Sequence, residues 1–227
     1  MRRLHVVLLY AVVCFGVSSS VSAQTRKDWL NAPLIVDIFQ PVVGNGGLYQ
    51  TQSEQNKARN QTKEMTVVGK ETFEGKEAYW IEIGHTDEKN GAMSYGKILI
   101  TKDDLIWRRI ISQQSGQQPT EIDLHPEARK KSNQELENWR KVGSESITVP
   151  AGTFVCDHWT KGKGYDIWVN PKISPFSTVK EVDLNSTTVL VKVITDATDH
   201  ITGTPKKFDP EEMKRQMMEQ MRKQQKP

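Results

Sequence analysis

The stretch Phe73-Glu74-Gly75-Lys76-Glu77-Ala78-Tyr79-Trp80-Ile81-Glu82-Ile83 decides the fold class. Tyr79, Ile81 and Ile83 alternate with Ala78, Trp80 and Glu82. That period of two puts successive side chains on opposite faces of a strand. Phe73 to Lys76 is a turn signal, with Gly75 where a tight hairpin needs positive φ. Working outward, residues 98–100 and 105–111 are further strand candidates. Asn90-Gly91 and Lys102-Asp103-Asp104 punctuate them. Helix-length segments are missing between these strands, so residues 46–124 read as a meander of antiparallel hairpins and not as βαβ units.

A second β stretch covers residues 146–149, 153–159, 165–169, 178–183 and 187–195. Gly162-Lys163-Gly164 and Val149-Pro150-Ala151-Gly152 are its turn signals. Val189, Val191 and Val193 alternate with Leu190 and Ile194, so both faces are apolar and the strand belongs in a central or wrapped position. The polar residues 112–145 predict a loop and a short helix around 134–141, with Asn133 as its cap. Residues 24–45 predict an entry segment with a short helix, because Leu30, Leu34 and Ile38 fall on one helical face before Pro41.

Residues 205–227 predict an amphipathic C-terminal helix. Asp209 caps it, Pro210 takes its first position, and Glu212 closes a capping box. Phe208 and Met213 stand at the hydrophobic-staple positions. Met213, Met217 and Met221 line one face.

The chain of 227 residues opens on Arg2 and Arg3, an apolar run over residues 6–17, and Val21-Ser22-Ala23. This is the three-part pattern of a secretory signal peptide over residues 1–23, too short to span a bilayer. A periplasmic or secreted destination follows, with residues 24–204 as a single β domain. Cleavage removes Cys14 and two of the three excess positive charges. The mature chain then has one cysteine, Cys156, and no internal disulfide, so its core must carry the fold. Near-neutral charge argues against a nucleic-acid partner. No second segment reaches transmembrane length.

Candidate sites compete with plainer readings. The Met stripe, with Met218 alongside, could hold Cu(I), but Lys and Gln intervene and no His attends it, so an apolar face docking on the sheet or on a partner is the better reading. Cys156 and His158 share a strand face with Phe154, which reads as core and not as a thiolate or metal site. His85, His125 and His200 lack ligand spacing. Asp103-Asp104 fits a turn. Asn60 and Asn185 open glycosylation triplets, which matter only in a eukaryotic secretory route. No nucleophile elbow, zinc-protease, phosphate-loop or EF-hand motif occurs. The expectation is therefore no enzyme, no cofactor and no metal. Trp80, Trp107, Trp159 and Trp168 all fall on strands. They are either one sheet-facing core or the lining of a concave apolar face that holds a ligand chain.

Residues 146–156, Ser-Ile-Thr-Val-Pro-Ala-Gly-Thr-Phe-Val-Cys, followed by Asp166-Ile-Trp-Val169 and Pro175-Phe-Ser-Thr-Val-Lys180, resemble the closing half of a group of exported bacterial domains. Those are similar to the LolA/LolB-like lipoprotein-carrier superfamily. The resemblance covers roughly residues 140–195. Ser177 stands where that pattern often has Gly. It implies a curved antiparallel sheet, an incomplete barrel wrapped round helices, and an apolar concavity for acyl chains.

The sequence thus predicts a mainly β (α+β) exported protein that binds a lipid or acyl chain on the concave face of a curved sheet. The alternative is an envelope interaction module whose contact is the Met-lined C-terminal helix, with a protein partner and no small ligand.

Overall fold

The computed structural model describes residues 38–53, 61–86, 93–113, 116–124 and 139–209. Twelve strands form one open, curved sheet in the order β12-β6-β5-β4-β3-β2-β1-β11-β10-β9-β8-β7. The strands are β1 (Gly46–Ser53), β2 (Gln61–Phe73), β3 (Lys76–Thr86), β4 (Met93–Thr101), β5 (Trp107–Gln113), β6 (Thr120–Asp123), β7 (Arg140–Val149), β8 (Gly152–Gly162), β9 (Tyr165–Val169), β10 (Thr178–Asp183), β11 (Ser186–Ile194) and β12 (Lys206–Lys207). The chain enters at the middle with β1 and runs outward to β6. It resumes at the far edge with β7 and runs back to β11, which pairs with β1. All neighbours are antiparallel except β12, which lies parallel to β6.

Local chemistry sets the turns. Glu74 and Gly75 both have positive φ (50° and 80°), as do Lys163 and Gly164 (52° and 81°), the conformation of a two-residue hairpin turn. Asp183 closes the β10–β11 turn by accepting from the Asn185 and Ser186 amides, each at 2.8 Å. Asp104 does the same at the β4–β5 turn, taking the Ile106 amide at 3.1 Å.

One face, called inner here, carries Tyr49, Met65, Val67, Tyr79, Ile81 and Ile98, all buried. Phe39 packs on it edge-on to Tyr79 and against Phe176. The β7–β8 hairpin adds Val149 and Cys156 to the same core. Its tip is fixed by the Ala151 amide, which donates to the Leu190 carbonyl at 3.3 Å. Bulges in the pairings β2–β3, β4–β5, β7–β8, β8–β9, β9–β10 and β1–β11 shift which residues share a face.

The antiparallel expectation holds, and β9 and β10 begin and end where the sequence placed them. The polar stretch 112–145 is corrected. It contributes β6, and Arg140 and Lys141 open strand β7 instead of ending a helix. Among the described residues no helical element is found. The expected entry helix and the helix after Asp209 fall on residues outside the described set, while Lys206 and Lys207, at the start of the 205–227 segment, form β12. No helix among the described residues is long and apolar enough to cross a membrane.

Candidate functional site

A second apolar cluster lies at the β7–β9 end of the inner face. Ile38, Ile167 and Val169 are buried there, with Trp139 and Trp159 packed against them. The register explains it: Thr51 pairs with Thr188, Thr188 with Glu181, Glu181 with Ile167, and Ile167 with Trp159. Directly opposed residues share a face, so this row crosses five strands on one side of the sheet. Apolar Trp159 and Ile167 end the row on one side, and the polar side chains of Glu181, Thr188 and Thr51 continue it. The two threonine hydroxyls are 2.8 Å apart.

Two features make this cluster unlike an ordinary core. The indole Nε1 atoms of Trp139 and Trp159 are both sealed from solvent, and neither has a hydrogen-bond partner. A buried unpaired donor costs about 1–3 kcal/mol, and native proteins keep few of them. Two in one cluster form an arrangement that an acceptor oxygen would complete. The second feature is Lys63, half-buried on the inner face beside Tyr49 in register. Burial pushes its ammonium down to about 7, and the charge of Glu181 pulls the other way. Burial, and then Glu181, push the Tyr49 phenol up. Its hydroxyl donates to the Thr178 carbonyl at 3.3 Å.

The structure does not gather the four strand tryptophans in one place. Trp159 lies in the cluster above. Trp107 packs on the main core. Trp80 lies on the opposite, outer face. Its indole donates to Glu71 at 2.9 Å, with Arg109 and Lys97 over its ring at 5.2 and 5.4 Å. Trp168 pairs with His158, so it faces away from Trp159, although the two flank the same turn.

Trp168 belongs to a polar group of its own. His158 stacks on it at 4.4 Å, and Lys180 sits over it at 4.6 Å. The indole donates to Glu145 at 2.6 Å. His158 bridges Glu145 (Nδ1, 3.1 Å) and Asp166 (Nε2, 2.8 Å). With the imidazole on its ring and Lys180 over it, Trp168 is held as a structural plate. Cys156, two residues along from His158, is 1 % exposed. Burial pushes its thiol up to about 11, with Asp157 and Glu145 adding to the effect. A thiol so raised is mostly protonated at neutral pH and a poor nucleophile.

Asp104 is a turn residue. Burial pushes its carboxyl up, but hydrogen bonds from Lys76, Thr101 and the Ile106 amide, together with the Arg108 charge, hold it below the usual range. A surface depression at these turns is lined by Gly75, Lys76, Glu77, Lys102 and Asp103. No group of three or more His, Cys, Asp or Glu side chains among the described residues could hold a metal ion. Met213, Met217 and Met221 lie outside the described residues.

Trp139, Lys63 and Glu181 were not singled out from the sequence. Lys63 did leave a signal, since it precedes Met65 and Val67 at the same strand parity and therefore occupies a core-facing position. Trp139 left none, because it precedes a strand with no alternation.

No family model matches the chain, and no curated protein matches it in sequence. Solved structures overlap it in part. A presumed lipoprotein from Parabacteroides distasonis has a TM-score of 0.38 at 16% identity, covering 69% of this chain and 97% of that one. MucB, solved in complex with MucA(peri), has a TM-score of 0.41 at 13% identity. That match covers 79% of this chain and 59% of that one. A presumed exported protein with a YmcC-like fold from Bacteroides fragilis has a TM-score of 0.36 at 10% identity, covering 69% and 98%. Identities and scores this low transfer no site to this chain.

Proposed function

We propose that the protein is an exported β domain that holds an apolar ligand, a lipid or acyl chain, on the inner face of its sheet. The ligand lies at the Trp139–Trp159 end. The observation that carries this reading is the pair of buried indole N–H groups without acceptors, set in an apolar cluster and bordered by Glu181 and Lys63. An acyl chain supplies apolar surface, and its carbonyl supplies the acceptor. The resemblance of residues 146–180 to the lipoprotein-carrier superfamily supports the same class of ligand. Trp107 and Trp80 are not part of this site, and Trp168 is a support for His158.

Native mass spectrometry of protein purified from its own host should find bound lipid, and the delipidated protein should take up a fluorescent fatty acid. Trp159→Phe keeps an aromatic side chain, though a smaller one, and removes the donor. It should weaken uptake up to about tenfold, the worth of one hydrogen bond, and the smaller ring should lower stability slightly through the space it leaves. A lipid-free spectrum with no uptake of the probe would sink the reading.

A second reading has its own support. Most of the inner face is filled by the chain itself, by Phe39, Ile173 and Phe176 among others. Edge strand β7 is exposed over its first seven residues. Both suit an interaction module that presents surface and the Met-bearing C-terminal segment to a partner protein. Removing residues 209–227 discriminates: if the shortened protein folds and keeps the same partners, that segment is not the interface.

A further inference from the structure

After β11 the chain crosses the outer face of β3, β4 and β5 as a strap over residues 196–205, then joins the sheet edge beside β6 as β12. Its amides and side chains are fixed along the way. The Ala197 amide donates to the Gly44 carbonyl at 2.9 Å. Asp199 pairs with Lys97. Gln113 exchanges two hydrogen bonds with the Thr202 backbone, at 3.1 and 3.0 Å. The Phe208 amide reaches the Glu121 carbonyl at 2.7 Å.

The middle of the strap rests on Glu82. This glutamate sits at the centre of β3, 1 % exposed. Its carboxylate accepts from the His200 amide at 3.0 Å and lies 2.7 Å from His200 Nδ1. The imidazole is stacked on Tyr95 at 4.4 Å and 8°. A carboxylate in the middle of a sheet face is thus covered and hydrogen-bonded by a segment 118 residues away in the chain.

We infer that Glu82 and His200 form a proton-linked latch, which holds the strap down more tightly in mildly acidic than in neutral solution. Lifting the strap returns Glu82 to water and to ordinary carboxylate behaviour. In the closed state burial raises its pKa, and the hydrogen bonds from His200 only partly offset that. Closure therefore takes up a proton. It is fully favoured below the ordinary carboxylate range and weakens as pH rises through the raised value. The charged and titratable groups that share this face act with it or are engaged elsewhere. Glu64 of β2 adds negative charge nearby, and the Tyr95 phenol is pushed up by burial, then by Glu64 and Glu82. Lys97 is held by Asp199, and Arg109 of β5 by Glu71. Glu121 of β6 lies beyond the strap, beside β12.

Hydrogen exchange on the full mature chain tests this, with rates corrected for the intrinsic effect of pH. The His200 and Thr202 amides should be several-fold better protected at pH 5 than at pH 8. Amides of β9 and β10 should not follow. Glu82→Gln keeps an acceptor for the His200 amide and should equalise strap protection at the two pH values. Equal protection in the wild type, or an unchanged pH dependence in Glu82→Gln, overturns the latch. If that variant does not fold, the wild-type comparison of strap and β9 amides decides alone.

Discussion

Ser177 shows how much one position can hold. Its φ is +57°, in the left-handed region that costs an ordinary side chain about 1 kcal/mol or more. It is also buried, and its hydroxyl donates to the Ile38 carbonyl at 2.7 Å. The resemblance pattern has Gly here, and the backbone angle gives the reason. Serine keeps the turn at the cost of strain and adds a tie to the segment bearing Ile38 and Phe39. Ser177→Ala keeps the strain and loses the tie, so it should cost about 1–2 kcal/mol. Ser177→Gly loses the tie but relieves the strain, so it should cost less. Denaturant melts of the two variants check the order, and an alanine variant as stable as the glycine one would contradict it. Cys156 is the opposite case, a residue whose chemistry is suppressed by burial and which serves as core.

At the scale of elements, β1 is the strand that the rest of the sheet is built around, and its glycines let neighbours close in. A Cβ on Gly46 would stand 2.2 Å from the Met65 carbonyl oxygen, which is backbone and cannot swing away. Gly46→Ala should therefore destabilise by about 1–3 kcal/mol, the usual cost of overpacking, seen as a lower unfolding midpoint. Strands of this kind were legible where burial alternates. β9, β10 and the Glu74-Gly75 turn could be read from the residues because one side of each strand meets the core. β7 could not: its sequence Arg-Lys-Val-Gly-Ser-Glu-Ser-Ile-Thr-Val is exposed over its first seven residues, and a strand without a buried face writes no alternation. The site was less legible than the fold. Each bulge moves later residues to the other face, so the bulge at Leu99/Ile100 pairs Trp107 with Ile100 and seats it in the core, while Trp80 is left outside. Strand membership could be read from local sequence, but which tryptophans converge depended on register.

For the whole molecule, Lys63 links stability to pH. Its folded value lies near 7, below the ordinary 10.5, so between those values the unfolded chain holds a proton that the native chain does not. Stability should rise with pH across that window, and below about 7 the full cost of burying the ammonium is present. The slope is at most about 1.4 kcal/mol per pH unit for a full proton difference, and less because the side chain is partly solvated. Denaturant unfolding at pH 7.0 and 8.0, below the ordinary thiol value of 9.0 and the phenol value of 10.0, should show the rise. Lys63→Met should flatten it, and an unchanged slope would mean the ammonium is not buried. The strand order has a further consequence, for the timing of folding. The seam at the centre of the sheet joins β1 to β11, so Gly46 waits for Ile194. Contacts so distant in sequence are slow to form, because loop-closure entropy is lost before any pairing is gained. A chain still emerging from the ribosome cannot close that seam until everything from β2 to β11 has followed. The early hairpins can pair while the two halves stay unjoined, so the order that makes the sheet continuous also makes its central seam the last pairing to close.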